Sequence, residues 1–349
     1  MRSFHRLKTA VVATAAWILY VTGILHLLIA RRLRDRAVVL MYHRVIPRNR
    51  LDEIASHPGI VVEAETFESH LRFLRRHMNV VSAREFVDCM TAAGKFPPRT
   101  CLVTFDDGWA DSYSQAYPLL RKHGVPALFF LAVGYIGTQA RFWQETLIGA
   151  LVRALRLPDG NADPRVRELL TKVGCDPERL VDDAGSKASI QDEVCRLKHV
   201  PEKTRGELLD AAARLPGSVA QATAHADGFL HWQQAREMAA GGMEFGSHSS
   251  RHELLTMLRP EQVARELASS KEVLERELSS EAWTLSYPNG SEDADVRRLA
   301  AECGYRAGFG TEAGLVDPTD DRYAIRRINV HQGSASTVPL LMARIAGVF

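Results

Sequence analysis

Two short segments of the chain carry side chains that could bind a metal ion and activate water. The first is Asp106-Asp107, two adjacent carboxylates that follow the apolar run 102–105. The second carries His248 and His252, and at this spacing we expect the two imidazoles one helical turn apart and on one face. One carboxylate and two imidazoles form a three-ligand site for a divalent ion, with positions left open for water and substrate. The second carboxylate is then free to act as a base, which predicts a metal-dependent hydrolase.

Both segments follow stretches that are predicted to be buried strands. In a parallel sheet or barrel, charged residues that directly follow a buried apolar strand lie at the rim. The histidine segment likewise follows a short strand-like stretch, residues 243–246. An Asp-Asp-Gly triplet alone is most often a solvated turn, and a His-x-x-x-His spacing alone often arises by chance. The two strand ends together favour a single active-site face.

Four motifs resemble one enzyme family. Residues 104–108 (Thr-Phe-Asp-Asp-Gly) and 248–252 (His-Ser-Ser-Arg-His) resemble the first two motifs of the polysaccharide deacetylases, carbohydrate esterase family 4 with the NodB-homology fold. Residues 40–45 resemble the opening strand of the poly-N-acetylglucosamine deacetylase subgroup, and residues 286–290 resemble the third motif. The resemblance runs from about 37 to 330, with a poorly matching middle. It implies a distorted (β/α) barrel of about seven parallel strands that removes N-acetyl groups from an N-acetylated polysaccharide or oligosaccharide.

The resemblance also implies roles for the four candidate side chains. Asp107, His248 and His252 are assigned as ligands of one divalent ion, and Asp106 as the general base. Adjacent side chains on an extended backbone point apart, so one carboxylate can bind the ion while the other reaches the water. The reverse assignment of the two carboxylates stays open. Zinc is the expected metal on ligand type, and cobalt, nickel or iron would suit the same ligands.

The chain departs from the family pattern at two places. The third motif commonly carries an arginine two positions before its proline, and here that position is Ser286. The support that this arginine lends to the base is therefore missing or comes from elsewhere, with Arg326 or Arg327 as candidates. No clear Leu-x-His near the carboxyl terminus is present to donate a proton. Resemblance to the subgroup assigns the acid role to His43, with His331 as the competitor.

Further residues are candidates for holding the substrate. A backbone N–H of the turn from Tyr287 to Asn289, together with the metal, is predicted to stabilise the oxyanion. Trp109 and Trp143 are predicted to form a platform on which sugar rings stack. Tyr113 could join them, but core packing is the favoured interpretation for this residue.

The leading hypothesis is a membrane-anchored deacetylase acting on a surface polysaccharide or its lipid-linked precursor. A different hypothesis is an inactive barrel that serves as a membrane-anchored glycan-binding or assembly protein, supported only by the missing third-motif arginine. A third is a related metal hydrolase that acts on small amides.

The amino-terminal region is predicted to anchor the protein in a membrane. Residues 10–30 carry no formal charge over 21 positions, enough to cross a bilayer as one helix. We predict a basic tail over 1–9, a transmembrane helix over 10–30 and the barrel over 37–349. A cleaved signal peptide is disfavoured, because the apolar run is long and ends in Arg31-Arg32. This predicts a single-pass protein of a bacterial-type cytoplasmic membrane. Charge counting favours a catalytic body inside, whereas the family resemblance favours a periplasmic or extracellular body.

Charge and cysteine content exclude other classes of protein. Residues 1–36 carry seven Lys/Arg, which leaves the remainder with 37 basic against 41 acidic residues. This mildly acidic body argues against nucleic-acid binding. The chain has 5 cysteines and no Cys-x-x-Cys pair, so scattered core thiols are favoured over a disulfide framework. The sequence does not identify a protein partner.

Hydrophobic patterning predicts the order of the elements. Apolar strand-like runs alternate with amphipathic segments up to about residue 133, which predicts parallel strands with right-handed crossovers. Between about 138 and 227 the patterns are helical and no strand alternation occurs, which predicts a helical insertion in the barrel. The alternation of helix and strand resumes at Trp232. The predicted class is therefore α/β.

Overall fold

The computed structural model describes residues 2–157, 163–179, 183–217 and 228–348. The chain forms two compact units. The first consists of Met1–Arg48, Pro58–Thr138 and Phe229–Phe349, and the second of Asn49–His57 and Gln139–Gly228.

Ten strands occur in the described residues, all of them in the first unit. They are β1 (Ala37–Tyr42), β2 (Arg44–Ile46), β3 (Val61–Glu63), β4 (Asn79–Val80), β5 (Thr100–Phe105), β6 (Leu128–Leu131), β7 (Glu244–Ser247), β8 (Thr284–Ser286), β9 (Ala307–Phe309) and β10 (Ile328–Asn329).

The α-helices of the first unit surround these strands. They are α1 (Arg2–Val21), α2 (Ile24–Arg32), α3 (Ala64–His77), α4 (Ala83–Asp88), α5 (Tyr117–His123), α10 (Trp232–Ala240), α11 (Pro260–Leu278), α12 (Ala294–Glu302), α13 (Gln332–Ala335) and α14 (Val338–Ile345). The second unit holds α6 (Trp143–Leu155), α7 (Pro164–Lys172), α8 (Asp183–Arg196) and α9 (Glu202–Ala213).

The larger sheet is parallel throughout. Its order is β10-β1-β5-β6-β7-β8-β9, and β4 pairs with the first residues of β5. These seven neighbouring strands curl into a half-barrel, which agrees with the distorted barrel expected from the sequence. The central strands β1 and β5 stay in register from Ala37↔Thr100 to Tyr42↔Phe105. Strands β2 and β3 form a separate two-stranded parallel sheet.

The sheet is anchored by apolar packing. Val39, Leu102 and Phe130 of the strands form one buried cluster with Phe86 and Phe96. Every residue of β1 and β5 is buried, which explains their continuous apolar runs, since strands of a parallel sheet are covered on both faces. Strand ends held in this way place the residues that follow them at fixed positions. The five cysteines are all free, as the sequence predicted.

Helices α1 and α2 are separated by a sharp break. Gly23 lies at the break with φ 77°, a backbone conformation that glycine adopts at little cost. The two helices pack against each other and against α14. The segments Ala10–Val21 and Ile24–Arg32 have the length and hydropathy of a membrane span only when taken together, and they are bent by 82°. No single helix in the described part of the chain has that length and apolarity, so the predicted transmembrane helix is not confirmed.

The second unit is helical in its described residues. Its four helices enclose a separate apolar cluster, and they occupy the segment predicted as an insertion over 138–227. The sequence did not indicate that residues 49–57 join these helices. The side-chain amide of Gln191 donates to the carbonyl oxygens of Ala55 and Ser56 at 3.0 and 2.7 Å, which ties that segment to α8.

Candidate active site

The carboxyl ends of neighbouring parallel strands meet at one edge of the sheet. Asp106 directly follows β5, His43 follows β1 and His248 follows β7. Strands β1 and β5 are paired up to their last residues, as are β6 and β7. The fold therefore brings these side chains to one rim, although they are distant in sequence.

Asp107, His248 and His252 converge at this rim. One donor atom from each lies within 4.8 Å of the others, and Asp107 Oδ1 is 3.4 Å from His248 Nε2 and 3.3 Å from His252 Nε2. Two ligands about 2.05 Å from a zinc ion at a tetrahedral angle lie roughly 3.3 Å apart. The three side chains therefore fit one divalent ion. Asp107 and His248 are buried, and the side chain of His252 is 14% exposed.

The tautomer of His248 is set by a backbone carbonyl. This residue opens the histidine loop, residues 248–252, and its Nδ1 lies 2.8 Å from the carbonyl oxygen of Ser286. Because a carbonyl only accepts, Nδ1 carries the proton and the neutral ring presents its Nε2 lone pair towards Asp107, as metal ligation requires. Burial lowers the pKa of His248, but the carboxylates of Asp106 and Asp107 outweigh it and the pKa is raised.

The two imidazoles meet through an irregular loop. The expectation of one helical turn is wrong, because Ser249 (φ 60°) and His252 (φ 57°) have left-handed backbone conformations. The carboxylate of Glu266 holds this loop by accepting the backbone N–H groups of Ser250 at 3.1 Å and Arg251 at 2.8 Å. The result is a His248–His252 ring-centroid distance of 4.8 Å.

Asp106 lies in a buried ion pair with Arg327. Arg327 Nη1 and Nη2 donate to the two oxygens of Asp106 at 2.7 and 2.8 Å, and Ser286 Oγ donates to the same carboxylate at 3.2 Å. Burial raises the pKa of Asp106, but Arg327, His248 and His43 together outweigh burial and the pKa is lowered. Of the two arginines considered from the sequence, Arg327 therefore faces the base. Arg326 instead lies 3.3 Å from Glu312 with its side chain 41% exposed.

Trp109 does not offer its ring to a sugar. The guanidinium of Arg44 lies 4.3 Å from the ring centroid, the ring of Phe229 stacks at 4.7 Å, and the residue is 1% exposed. The predicted stacking platform is therefore wrong for this residue, because protein groups cover the ring. Its indole Nε1 instead donates to Asp107 Oδ2 at 2.8 Å.

The other aromatic candidates lie elsewhere. Trp143 is the first residue of α6 and is partly buried against the apolar cluster of the second unit, and its role in substrate binding stays a prediction. Tyr113 is partly exposed, donates to the Glu237 carboxylate and stacks on Tyr117 at 5.9 Å. Its favoured interpretation as a core residue is wrong.

Two histidines compete for the role of proton donor. His43 follows β1 and His331 follows the neighbouring strand β10, so both lie at the carboxyl edge. Within the described part of the chain, Nδ1 of His43 is buried without a hydrogen-bond partner. Burial lowers the pKa of His43, and Asp107 and Asp106 act in the opposite direction. His331 caps α13, where its backbone N–H lies 3.4 Å from Ser334 Oγ. The assignment to His43 stays a prediction.

The turn predicted to bind the oxyanion keeps one candidate donor. The backbone N–H of Tyr287 donates to the carbonyl oxygen of Phe309 at 3.1 Å, and Pro288 has no N–H. The predicted contribution of the Tyr287 N–H is therefore wrong. Its phenol is also engaged, donating to the carbonyl oxygen of Tyr323 at 2.9 Å. Asn289, exposed at φ 54°, remains the predicted donor.

Sequence reasoning missed three buried charged residues that support the site. Glu266 holds the histidine loop, and Arg44 donates through Nε to Asp111 at 2.9 Å. The other oxygen of Asp111 accepts a backbone N–H of β2 at 2.7 Å. Burial raises the pKa of Asp111 while Arg44 opposes the shift. The available signals were weak: Arg44 directly follows His43 at a strand end, and Glu266 interrupts the apolar stripe of α11 next to Leu267.

Comparison with known proteins agrees with this geometry. The family model described as "Polysaccharide deacetylase" matches residues 93–146 and 211–308, which include both predicted metal-binding segments. The chain is 22% identical over 300 residues to the putative polysaccharide deacetylase YxkH of Bacillus subtilis (strain 168), covering 86% of this chain and 73% of that protein. It is 32% identical over 116 residues to the poly-beta-1,6-N-acetyl-D-glucosamine N-deacetylase of Staphylococcus aureus (strain MSSA476), a match of 30% of this chain and 39% of that relative's length.

Solved structures share the fold. The Streptococcus pyogenes deacetylase PplD superposes with a TM-score of 0.57 at 18% identity, over 89% of this chain and 98% of that one. IcaB from Ammonifex degensii superposes with a TM-score of 0.55 at 20% identity, over 89% of this chain and 97% of that one. The segments 93–146 and 211–308, which the family model matches, identify a polysaccharide deacetylase domain in this chain.

Proposed function

We propose that this protein is a metal-dependent deacetylase that removes N-acetyl groups from the N-acetylhexosamine units of a poly-N-acetylglucosamine-like surface polysaccharide or its lipid-linked precursor. The observation that carries the proposal is the convergence of Asp107, His248 and His252 beside a second buried carboxylate, Asp106, which Arg327 keeps ionised. The Staphylococcus aureus relative is named for activity on a polymer of this class, which supports the choice of substrate.

Asp107, His248 and His252 are the residues that would hold the ion. Zinc is favoured by the ligand set, and cobalt, nickel or iron would suit it as well. When bound, such an ion polarises an amide carbonyl and lowers the pKa of its water.

The remaining residues of the rim supply the proton transfers. Asp106 accepts the proton of the attacking water as a C–O bond forms at the acetyl carbon. The amide C–N bond then breaks, and the nitrogen takes a proton, for which His43 is the proposed donor. The backbone N–H of Asn289 is the proposed donor to the oxyanion. The products are acetate and a sugar that bears a free amine.

The one observation that favoured the inactive-barrel hypothesis is explained by the position of Arg327. The hypothesis rested on Ser286 standing where the family carries an arginine. Because Arg327 supplies a guanidinium to Asp106 from β10's amino end, the base has the partner that the third motif lacks. Hydrolysis is therefore the function that the rim favours.

Acetate release tests the proposal directly. The full chain, purified in detergent, is stripped with a chelator, reloaded with zinc and incubated with β-1,6-linked N-acetylglucosamine oligomers. We expect release only after reloading, and we expect Asp106→Asn to abolish it while the surface variant Asp295→Asn retains it. A protein that binds zinc and releases no acetate from these or other acetylated glycans would refute the proposed function.

We also propose that residues 10–30 hold the protein at a bacterial-type cytoplasmic membrane, with the catalytic unit on the periplasmic or extracellular side. Large apolar side chains of α1 and α2 are exposed, namely Val11, Trp17, Ile18, Val21, Ile24 and Leu27. In cells that express the chain with a carboxyl-terminal epitope tag, we expect the protein in the membrane fraction and the tag accessible to protease added to spheroplasts. A soluble protein, or a protected tag, would contradict this placement.

A further inference from the structure

The two oxygens of Asp107 have different partners. Oδ1 faces His248 and His252 at 3.4 and 3.3 Å. Oδ2 accepts the indole N–H of Trp109 at 2.8 Å. We propose that Trp109 is a positioning residue that occupies one oxygen of Asp107 and so restricts this carboxylate to binding the ion through Oδ1 alone. This inference rests on the metal site of the proposed function.

The indole is held in one orientation by its neighbours. Arg44 lies over the ring at 4.3 Å from its centroid, and Phe229 stacks on it at 4.7 Å with an interplanar angle of 17°. Both groups are therefore in contact with the indole ring. Backbone pairing between Trp109 and Phe229 adds an antiparallel bridge. With 1% of the residue exposed, the ring has no space in which to adopt another rotamer.

The stacking group is itself fixed. Arg44 is fully buried, and its Nε donates to Asp111 Oδ2 at 2.9 Å. Asp111 in turn accepts the backbone N–H of Val45 at 2.7 Å. A chain of contacts therefore runs from β2 through Asp111, Arg44 and Trp109 to Asp107. Groups that hydrogen-bond to a metal ligand in this way orient the ligand and tune its affinity for the ion.

Loss of the indole N–H would leave Oδ2 of Asp107 without its hydrogen-bond donor. Asp107 is 5% exposed, so water cannot readily replace the lost donor at Oδ2. The carboxylate is then free to turn and present both oxygens to the ion. We expect weaker binding and a higher coordination number, because the ligand is no longer pre-oriented and Oδ2 is available.

Trp109→Phe tests this directly, because it keeps an aromatic ring in contact with Arg44 and Phe229 and removes the N–H. Trp283→Phe is the matched control: Trp283 is 8% exposed, lies beneath Arg84 at 5.6 Å and precedes the amino end of β8. Zinc affinity is measured on the full chain by competition with a chromophoric chelator. We expect a loss of about 10- to 100-fold for Trp109→Phe and wild-type affinity for Trp283→Phe. In the cobalt-loaded proteins, we expect the visible absorption bands to weaken only for Trp109→Phe, as they do when a tetrahedral ion gains a ligand.

Failure of the positioning role and failure of the proposed function give different experimental results. A folded Trp109→Phe protein with wild-type zinc affinity and cobalt spectrum would overturn the positioning role. A wild-type chain that binds no divalent ion would instead remove the proposed function. Should Trp109→Phe not fold, the wild-type chain carries the test through ¹⁵N-labelled indoles, of which the sequence has 5. We expect the Trp109 N–H, assigned by elimination, to exchange slowly with and without zinc. Rapid exchange in the zinc-loaded protein would overturn the inference.

Discussion

Replacing Arg327 with glutamine should expose how the general base is kept ionised. The guanidinium donates to both oxygens of Asp106 at 2.7 and 2.8 Å, to Ser286 Oγ at 2.8 Å and to the carbonyl oxygen of Gly310 at 2.7 Å. Arg327 is 0% and Asp106 2% exposed. Removing one partner therefore leaves a buried carboxylate without its counter-charge.

The size of the effect follows from that burial. Breaking a buried ion pair from one side costs about 3–5 kcal/mol while the remaining group stays charged. At about 1.4 kcal/mol per factor of ten, this shifts the ionisation equilibrium of Asp106 by roughly 10²- to 10³-fold towards the neutral acid. A protonated Asp106 cannot accept the proton of water. We therefore expect kcat relative to the wild type to fall by up to this factor at acidic pH, and to fall less at neutral pH.

The pKa of Asp106 determines whether stability and kcat rise or fall with pH. In the wild-type chain burial raises the pKa of Asp106, but Arg327, His248 and His43 together outweigh burial and the pKa is lowered. Asp106 therefore contributes stability above its unfolded-state pKa, and that stability is lost as the pH falls through the folded pKa. In Arg327→Gln, only His248 and His43 still oppose burial, and we expect the pKa of Asp106 to rise above its unfolded-state value. The variant should then lose stability as the pH rises, while its kcat partly recovers because the base becomes ionised.

Arg326→Gln is the matched control for this experiment. Arg326 is the adjacent residue, with its side chain 41% exposed and its partners Glu312 and Asp320 at 3.3 and 3.7 Å, and exposed pairs are worth about 0–1 kcal/mol. Acetate release against pH and denaturant unfolding at two pH values are measured for both variants. The reasoning is refuted if the two variants have the same acid limb in their profiles of acetate release against pH and the same free energy of unfolding.

Three further perturbations probe the support of the site. Glu266→Gln places an amide N–H donor next to the backbone N–H donors of the histidine loop. We expect the zinc affinity, measured by calorimetric titration, to fall about tenfold. Glu272→Gln, at an exposed position on the same helix, should keep the wild-type affinity. Burial lowers the pKa of His70 from 6.5 to about 4, so this neutral histidine costs stability as the pH falls below about 6.5. Between about pH 7.5 and 5, the wild-type unfolding free energy should fall about 2 kcal/mol more than that of His70→Gln, and equal slopes would contradict this. Gly134→Ala brings a Cβ to 2.7 Å from a carbonyl oxygen of the histidine loop and should lower both Tm and zinc affinity, whereas Gly206→Ala, in open space within α9, should raise or preserve Tm.

Local chemistry made much of the rim predictable from the sequence. The apolar run before Asp106 predicts a buried parallel strand, and the structure places that carboxylate at the strand's carboxyl end. The pairing of Asp107 with His248 and His252 also followed from residue types that suit one ion. The helical turn predicted between the histidines was wrong, because a spacing of four residues does not distinguish a helix from a loop with left-handed residues.

The choice between Arg326 and Arg327 could not be made from the sequence. The two side chains are identical and adjacent, and a shift of one position reverses the side to which a residue in extended backbone points. Asp106 and Arg327 are 221 positions apart, so no local pattern relates them. Trp109 shows the same limit: an aromatic next to two carboxylates suggested a sugar platform, and the ring that covers it, Phe229, comes from a distant segment.

The sequence by itself determined which side chains can do chemistry and which apolar strands deliver them to a common edge, because strand burial and ligand type are local properties of residues. Only the tertiary structure decided which arginine faces Asp106, that the Trp109 indole serves a carboxylate, and that the apolar amino-terminal segment is bent at Gly23. These outcomes depend on which distant groups compete for the same buried volume and the same hydrogen bonds. That competition arises only once the chain has folded.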